Sequence, residues 1–266
     1  MPSIEIAFVD SPDTKHKINI GYSSTLDSII WNNGPINWEN VVYLNCNDNQ
    51  LEFLPDLLHC QFLDCEYNEL KSLPDLPHCQ KLWCHYNKLK RLPELPNCQE
   101  LICYYNKLES LQDLPNCQEL WCKNNQLEFL PDLPNCQELD CSENQLDRLP
   151  DLPHCQKLIC NYNKLESLQD LPNCRILLCY NNKLKSLPDL PNCQKLGCKN
   201  NELPYYDLDD HQKIVKLRKY TRNNPRYQLN IAKAISSSKY DLHSELLYSP
   251  KRPFYRKLVK SPCWKV

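Results

Sequence analysis

The sequence repeats itself every nineteen residues over most of its length. One column of nine cysteines, from Cys46 to Cys198, keeps this step, and a second column of eight runs from Cys60 to Cys193. Only Cys263 lies outside the two columns. A unit this short cannot bury its apolar side chains alone, so the chain must form a stack in which each coil packs on its neighbours.

Each unit combines a strand pattern with a segment that cannot be helical. In residues 138–142, Leu139 and Cys141 alternate with polar residues, which predicts a short strand that points Leu and Cys inward. Two prolines follow closely, at Pro150 and Pro153, and each fixes φ and lacks an N–H donor. The return path is therefore predicted to be extended and similar to polyproline.

The unit C-Q-x-L-x-C-x-x-N-x-L-x-x-L-P-D-L-P-x resembles a leucine-rich repeat in which cysteine takes two of the usual leucine positions. It is similar to the short LPxLP subtype of bacterial effectors and to cysteine-rich repeats of giant DNA viruses. The resemblance covers about residues 41–203. It implies a mainly β horseshoe solenoid with short parallel strands on the concave face and extended, polyproline-like backbone on the convex side.

The column cysteines have three interpretations. Free cysteine packs as a small apolar group, so we expect both columns to be core residues. Disulfides between neighbouring coils are permitted by the strand spacing of ~4.8 Å, but side chains in register on parallel strands point the same way. Zinc needs four converging ligands, and the usual C-x-x-C spacing is absent. We therefore predict that the protein holds no metal and no cofactor.

An asparagine column, from Asn49 to Asn201, follows the strand positions with the same nineteen-residue step. A carboxamide carries both donors and acceptors, so it can bond backbone groups that a turn leaves unpaired. We therefore predict a structural role for this column.

Enzymatic motifs are missing from the sequence. Its three glycines, Gly21, Gly34 and Gly197, cannot form a phosphate-binding glycine loop, and there is no H-E-x-x-H or G-x-S-x-G motif. Some effectors that resemble these repeats carry a ubiquitin-ligase domain with a catalytic cysteine in a C-x-D context. Here residues 204–266 are too short for that domain, and Cys263 lacks the aspartate. We predict no catalytic residues and no enzyme.

Residues 1–40 depart from the repeat and are predicted to be an N-terminal capping region. Two alternating segments, IEIAF and KINI, predict strands separated by a turn at Asp10-Ser11-Pro12-Asp13. The following STLDSIIW offers Ser24 or Thr25 as a helix cap. A small separate recognition domain is the alternative.

Residues 204–266 carry 14 Lys and Arg against 5 Asp and Glu, whereas the rest of the chain is acidic. Residues 208–224 predict a helix whose acidic start and basic end suit the helix dipole, and a second helix is predicted in YQLNIAKAI. We expect a helical cap on the last coil. A basic surface for nucleic acid or anionic lipid is the functional alternative.

Recognition in such a stack should use the outward strand positions, because the inward positions are committed to packing. The successive units that contain Trp83, Ile102 and Trp121 place large apolar residues there, and aromatic residues on a surface dominate binding hot spots. The alternative is that these rings only stack across coils and stabilise the sheet. The predicted partner-binding residues are Trp83, Tyr86, Ile102, Tyr104, Tyr105, Trp121, Ile159, Tyr162, Leu178 and Tyr180.

These features together predict a non-enzymatic module that binds a partner protein through the concave face of the solenoid. The alternative is an adaptor or effector whose repeats select a target while the basic tail contacts nucleic acid or another factor. The N-terminal decapeptide lacks the basic start and apolar run of a signal peptide, and no segment approaches the ~20 apolar residues of a membrane span. We therefore expect a reducing intracellular location, cytoplasmic or host-cytoplasmic if viral, with no membrane and no small-molecule substrate.

Overall fold

A computed structural model of the protein describes residues 3–20, 25–26, 30–31, 34–205 and 207–222. Within these residues, nine short parallel strands recur at nineteen-residue steps, and each opens one turn of a solenoid, which we number as coils one to nine. The elements are β1 (Ser3–Phe8), β2 (Ser11–Asn19), β3 (Ile30–Trp31), β4 (Gly34–Pro35), a 3-10 turn (Trp38–Asn40), β5 (Val41–Asn45), β6 (Phe62–Asp64), β7 (Lys81–Trp83), β8 (Glu100–Ile102), β9 (Glu119–Trp121), β10 (Glu138–Asp140), β11 (Lys157–Ile159), β12 (Ile176–Leu178), β13 (Lys195–Gly197) and α1 (Leu208–Arg222).

The strands β5 to β13 form a parallel sheet in chain order, with equivalent residues of successive coils directly paired. The antiparallel strands β1 and β2 extend this sheet at its N-terminal edge, where Ile6 pairs with Leu44 of β5. A separate two-stranded ribbon joins β3 and β4. The result is the predicted mainly β leucine-rich repeat solenoid.

The core consists of leucine and cysteine ladders. In a typical coil the middle strand residue, such as Leu101, is fully buried, while its neighbours Glu100 and Ile102 are half-buried on the outer side of the sheet. The cysteines that flank the strand, Cys98 and Cys103, are also fully buried. Two cysteines in place of leucines fit because free cysteine packs as a small apolar group.

A tight turn brings each coil back to the sheet. In coil two, the N–H of Cys79 donates to the carbonyl of Leu76 at 3.2 Å, which closes a four-residue turn with Pro77 in its second position. Proline is favoured there because its fixed φ suits the turn. The side-chain amide of Asn97 then donates to the carbonyl of Pro77 at 2.8 Å, so the turn of one coil is tied to the next.

The asparagine column bonds the coils together, which confirms its predicted structural role. The Asn106 carboxamide donates to the carbonyls of Cys84 at 3.0 Å and Cys103 at 3.1 Å. Its oxygen accepts from the N–H of Leu89 at 3.0 Å. One side chain thus satisfies backbone groups of two neighbouring coils, and the same pattern recurs through the stack.

The N-terminal region differs from the sequence prediction in two details. The second strand begins at Ser11, so the predicted turn at Asp10-Ser11-Pro12-Asp13 is shorter, because Pro12 lies in an outer strand that has no partner on its far side. The predicted helix after Ser24 is also wrong at its end, since Ile30 and Trp31 pair with Gly34 and Pro35 as a ribbon. Ser24 itself lies outside the described residues.

The helix α1 contacts β13, the last strand of the stack. Tyr205, just before it, is buried and its hydroxyl bonds the Nδ1 atom of His211 at 2.9 Å. Ile214 is buried on the same helix, and Asp209 and Asp210 occupy its first turn, as predicted. The second predicted helix, in YQLNIAKAI, lies outside the described residues.

Candidate interaction surface

The outward positions of the nine strands form one face, which we call the strand face. Its central residues pair in register across the coils, so Trp83 lies beside Ile102 and Ile102 beside Trp121. All three are half-buried. The predicted residues of coils three to five are therefore neighbours, although less exposed than the sequence suggested, because each side chain covers the next.

Trp83 belongs to a ladder of rings that the sequence prediction missed. Tyr43 and Phe62 stack with centroids 4.7 Å apart, and Phe62 meets Trp83 edge to face at 5.2 Å. The additional rings come from Tyr43 in the middle of β5 and from Phe62 at the start of β6, which pair in register. The same strand alternation that identified Trp83 would have revealed them. Lys15 of β2 places its Nζ atom 3.7 Å from the centroid of Tyr43, so a cation covers the N-terminal end of this ladder.

A second ladder runs beside the first, just past the ends of the strands. Tyr67, Tyr86 and Tyr105 stack with successive centroids 4.5 Å and 4.6 Å apart and nearly parallel planes. Tyr104 meets Tyr86 and Tyr105 edge-on. We call Tyr67, Tyr86 and Tyr105 the tyrosine stack. Its member Tyr67 is not among the predicted binding residues, although it has the same place in its unit as Tyr86 and Tyr105.

The stacked tyrosines occupy an unusual backbone conformation. The residue at this position has positive φ in every coil, with values of 52° at Tyr67, Tyr86 and Tyr105. Asparagine tolerates this left-handed region and stands there in coils five, eight and nine, at Asn124, Asn181 and Asn200, whereas a bulky residue is disfavoured. The four tyrosines of this column, these three and Tyr162, thus stand where local sterics would select asparagine or aspartate.

His85 lies buried between the two ladders. Its Nε2 atom is 2.5 Å from Oε2 of Glu66, and its ring centroid is 4.2 Å from that of Tyr104. Burial lowers the pKa of His85 to about 4, so near neutral pH the ring is uncharged and Nε2–H donates to Glu66. Its Nδ1 atom has no partner among the described residues. Burial, with the nearby Asp64, raises the pKa of Glu66.

A row of carboxylates crosses the centre of the strand face. Glu100, Glu119 and Glu138 are direct neighbours on adjacent strands, an arrangement in which like charges repel. Lys81 and Lys157 pair with the two outer members at 2.7 Å and 2.8 Å. The middle one has no ion pair among the described residues, and burial, followed by its two acidic neighbours, raises the pKa of Glu119.

The remaining predicted residues form a second group, separated from the first by Asp140. Ile159 and Leu178 pair in register and are half-buried. Tyr180 lies across Gly197, where a Cβ atom would overlap its ring. Tyr162 is 58% exposed and has no ring contact within the described part of the chain.

A polar groove of about 1700 Å³ borders the N-terminal ends of the strands, and the sequence prediction did not include it. Its lining contains the residue that follows each cysteine of the second column, which is glutamine except at Arg175, and the asparagine or histidine that precedes that cysteine. These residues are Gln61, Gln80, Gln99, Gln118, Gln137, Gln156, Arg175 and Gln194, with His59, His78, Asn97, Asn116, Asn135, His154, Asn173 and Asn192. Their strict nineteen-residue recurrence was visible in the sequence.

The column cysteines are buried, and their thiol pKa values are raised. All seventeen are buried free thiols. Burial raises the pKa of Cys60 and Cys98 to about 12, and burial also raises the pKa of Cys122 well above its ordinary value. The Cys98 thiol donates to the carbonyl of Glu100 at 3.3 Å. Since the thiolate is the nucleophile and the metal ligand, these thiols offer neither chemistry near neutral pH.

Two further observations apply to the described part of the chain. It contains no helix that is both long enough and apolar enough to cross a membrane. It also contains no group of three or more His, Cys, Asp or Glu residues placed to hold one metal ion.

The repeat and the parallel strand ladder define a leucine-rich repeat solenoid fold. Among solved structures, YopM from Yersinia enterocolitica WA-314 matches with a TM-score of 0.57 and 35% identity, covering 63% of this chain and 40% of that one. YopM from Yersinia pestis, described as a leucine-rich effector protein, matches with a TM-score of 0.55 and 31% identity, covering 59% of this chain and 48% of that one. A leucine-rich repeat domain of a Shigella effector matches with a TM-score of 0.47 and 25% identity, covering 67% and 76%.

The chain thus spans less than half of the length of either Yersinia protein. No protein-family model matches the sequence, and no curated protein matches it significantly. The structural similarity supports a scaffold for protein–protein interaction.

Proposed function

We propose that this protein is a non-enzymatic module that binds a partner protein through its strand face. The observation that carries the proposal is the tyrosine column, which consists of the tyrosine stack and Tyr162. Its bulky rings occupy left-handed backbone positions and remain accessible. Tyr67 is 49% exposed and Tyr86 is 38% exposed. Such strained positions persist where the surrounding structure holds them, and they are concentrated at functional sites.

The aromatic residues of coils two to five suit a partner interface. Tyrosine and tryptophan bury a large area on binding while losing little conformational entropy, and they are enriched at binding hot spots. The Leu and Cys ladders beneath them hold the backbone, so the rings are presented on a rigid surface. The carboxylate row and the polar groove beside the rings supply the polar rim that such interfaces need.

Stacking alone does not account for the tyrosine column. Tyr67, Tyr86 and Tyr105 do stack, and ring pairs of this kind contribute about 0.5–1.5 kcal/mol each. Tyr162, however, has the same left-handed backbone with φ of 54° and no ring contact among the described residues. Its ring gains no stacking energy from another ring there, which favours a role outside the chain itself.

A second candidate function is an adaptor whose repeats select a target while residues 204–266 contact nucleic acid or another factor. The excess of 14 Lys and Arg over 5 Asp and Glu in this segment supports it. The beginning of the segment supports a cap instead, since Tyr205 and Ile214 are buried against the last coil. We rank the cap first. The free thiols fit a reducing compartment, and the proposed location remains the cytoplasm, or the host cytoplasm if the protein is viral.

The test is a capture experiment with the triple variant Trp83→Ala, Tyr104→Ala and Trp121→Ala. Loss of one hot-spot aromatic costs about 2 kcal/mol of binding free energy, or roughly thirtyfold in affinity, so the triple variant should lose its partners. It should stay folded, because Leu82, Cys103 and the other inward residues are untouched. The folded state is checked by far-UV circular dichroism and thermal unfolding.

The matched control is the double variant Asp113→Ala and Asp132→Ala on the convex side. Both carboxylates are exposed and belong to the acidic column opposite the strand face: Asp56, Asp75, Glu94, Asp113, Asp132, Asp151, Asp170 and Asp189. The control should keep every partner. The reverse result, in which the aromatic variant binds and the acidic variant does not, would place recognition on the convex side and refute the proposal.

A further inference from the structure

The structure places a cation at two ends of its aromatic ladders. Lys15 covers Tyr43 at the N-terminal end of the first ladder, with Nζ 3.7 Å from the ring centroid. Lys123 covers Tyr105 at the C-terminal end of the tyrosine stack, with Nζ 5.8 Å from the centroid. A cation within about 6 Å of a ring face is attracted by the negative face of the aromatic system.

The cation on Tyr105 is held by its own carboxylate. The Lys123 ammonium lies 3.1 Å from Oε1 of Glu143, and the other carboxylate oxygen of Glu143 accepts from the Asn124 side chain at 2.9 Å. This end of the tyrosine stack therefore consists of a ring, a cation and a carboxylate in sequence. The chain itself supplies all three groups.

The opposite end of the tyrosine stack has the ring and the carboxylate but no cation among the described residues. The position one coil before Tyr67 is Asp48, which has the same left-handed backbone, with φ of 53°. The N–H of Asp48 donates to the next coil at Glu66, just as the N–H of Tyr67 donates to His85. Asp48 is exposed and forms no ion pair within the described part of the chain, while Tyr67 is 49% exposed.

The surroundings of this end are negative. Glu66 lies beside Asp48 on the neighbouring coil. Within the described part of the chain its only charged or titratable hydrogen-bond partner is His85, which is neutral near pH 7 because burial lowers its pKa to about 4. The next carboxyl along the strand, Asp64, bonds the Asn47 amide rather than a cation. The open face of Tyr67 thus lies in a field that favours a positive charge.

We infer that the free face of Tyr67, with Asp48 as the counter-charge, receives an arginine or lysine side chain of the partner protein. This inference rests on the proposed function, since it specifies what kind of residue the partner presents at one end of the strand face. Arginine suits the site better than lysine, because its planar guanidinium stacks on a ring while its N–H groups bond a carboxylate. The inferred partner therefore carries a basic residue at the edge of the segment that contacts coils two to five.

The first experiment uses acetyl-arginine amide as the probe and the ring signals of isotope-labelled tyrosine in NMR as the readout. Titration should shift the Tyr67 signal, which is assigned from its loss in Tyr67→Asn. Asparagine occupies this column position in three other coils, so that variant keeps the left-handed backbone. Acetyl-citrulline amide, which has nearly the same shape but no charge, should leave the signal in place.

The variant Asp48→Asn removes the counter-charge and preserves the residue shape and the positive φ. It should weaken binding of the arginine probe about threefold, in line with an exposed ion pair, and the difference should shrink at high salt. The control Tyr162→Asn removes a ring of the same column that is exposed at least as much, 58% against 49%, and should leave the titration unchanged. Equal shifts with arginine and citrulline, or an unaltered affinity in Asp48→Asn, would overturn the inference.

The probe titration and the capture experiment separate the two proposals. If the triple aromatic variant loses its partners but Tyr67 does not respond to acetyl-arginine amide, the proposed function stands and this inference is wrong. If Tyr67 binds the probe but the triple variant keeps every partner, the cation site exists and the proposed function is wrong.

Discussion

At the scale of single residues, His85 combines burial with a titratable ring and therefore makes a specific prediction about pH. Because burial lowers its pKa from 6.5 to about 4, the unfolded chain takes up a proton before the folded chain does. The stability that depends on neutral His85 is complete above about pH 6.5 and is lost as the pH falls towards 4. Solvent screening reduces the effect, so the cost by pH 4.5 should be on the order of 1–2 kcal/mol, below the full conversion of about 1.36 kcal/mol per pKa unit.

The measurement is urea unfolding of the wild type and of His85→Asn between pH 7.5 and 4.5. Asparagine stands at the equivalent position in coils one and seven, at Asn47 and Asn161, so the variant should fold. Burial raises the pKa of Asp64 and Glu66, which acts in the opposite sense, but both carboxyls are present in both proteins. The wild type should lose more stability on acidification than the variant. Parallel pH profiles would show that His85 does not titrate in this way.

At the scale of the repeated element, the hydrogen bonds of the asparagine column hold each coil to its neighbour. The variant Asn106→Ala removes an acceptor for the N–H of Leu89 and a donor to the carbonyls of Cys84 and Cys103. Each buried backbone group left without a partner costs about 1–3 kcal/mol, so the free energy of unfolding should fall by at least about 2 kcal/mol. Chemical denaturation measures the change.

The control for Asn106→Ala is the variant Lys107→Ala at the adjacent residue. This side chain is exposed and forms no ion pair among the described residues, so its removal should change the free energy of unfolding by less than about 0.5 kcal/mol. If the two variants are equally stable, the carboxamide is replaceable by water, and the coils are held by Leu and Cys packing alone.

At the scale of the whole molecule, the end of the stack must be covered, because the last coil otherwise exposes its apolar side to water. Tyr205, His211 and Ile214 provide that cover with the start of α1, and the Cys198 thiol beneath them is fully buried. A chain truncated after Leu203 should aggregate, and Cys198 should become the first column thiol to react with a thiol reagent.

A second truncation, after Arg222, keeps α1 and removes only the basic residues beyond it. This chain should remain folded, with all seventeen column thiols protected until unfolding. Size-exclusion chromatography and thiol counting compare the two truncations. Equal behaviour of the two chains would contradict a capping role for residues 204–222. Retained folding with loss of nucleic-acid binding would instead favour the adaptor function.

The sequence by itself determined the architecture, because a nineteen-residue period with alternating Leu and Cys admits one solution in which every coil buries the apolar side of its neighbour. It also determined the role of the asparagine column, since a carboxamide can both donate to and accept from the backbone groups that a turn leaves unpaired. The inward cysteines followed from the same alternation. These features recur in every unit, so each unit supports the same prediction.

Only the tertiary structure decided which outward residues act together. The sequence indicated an aromatic patch, but the orientation of each ring depends on contacts between coils. These contacts pair Tyr67 with Tyr86, bury His85 against Glu66 and draw Lys123 over Tyr105. The open face of Tyr67 is visible only once the covered ends of both ladders are known. Periodicity fixes backbone position, whereas side-chain packing across coils fixes which surfaces remain free to bind.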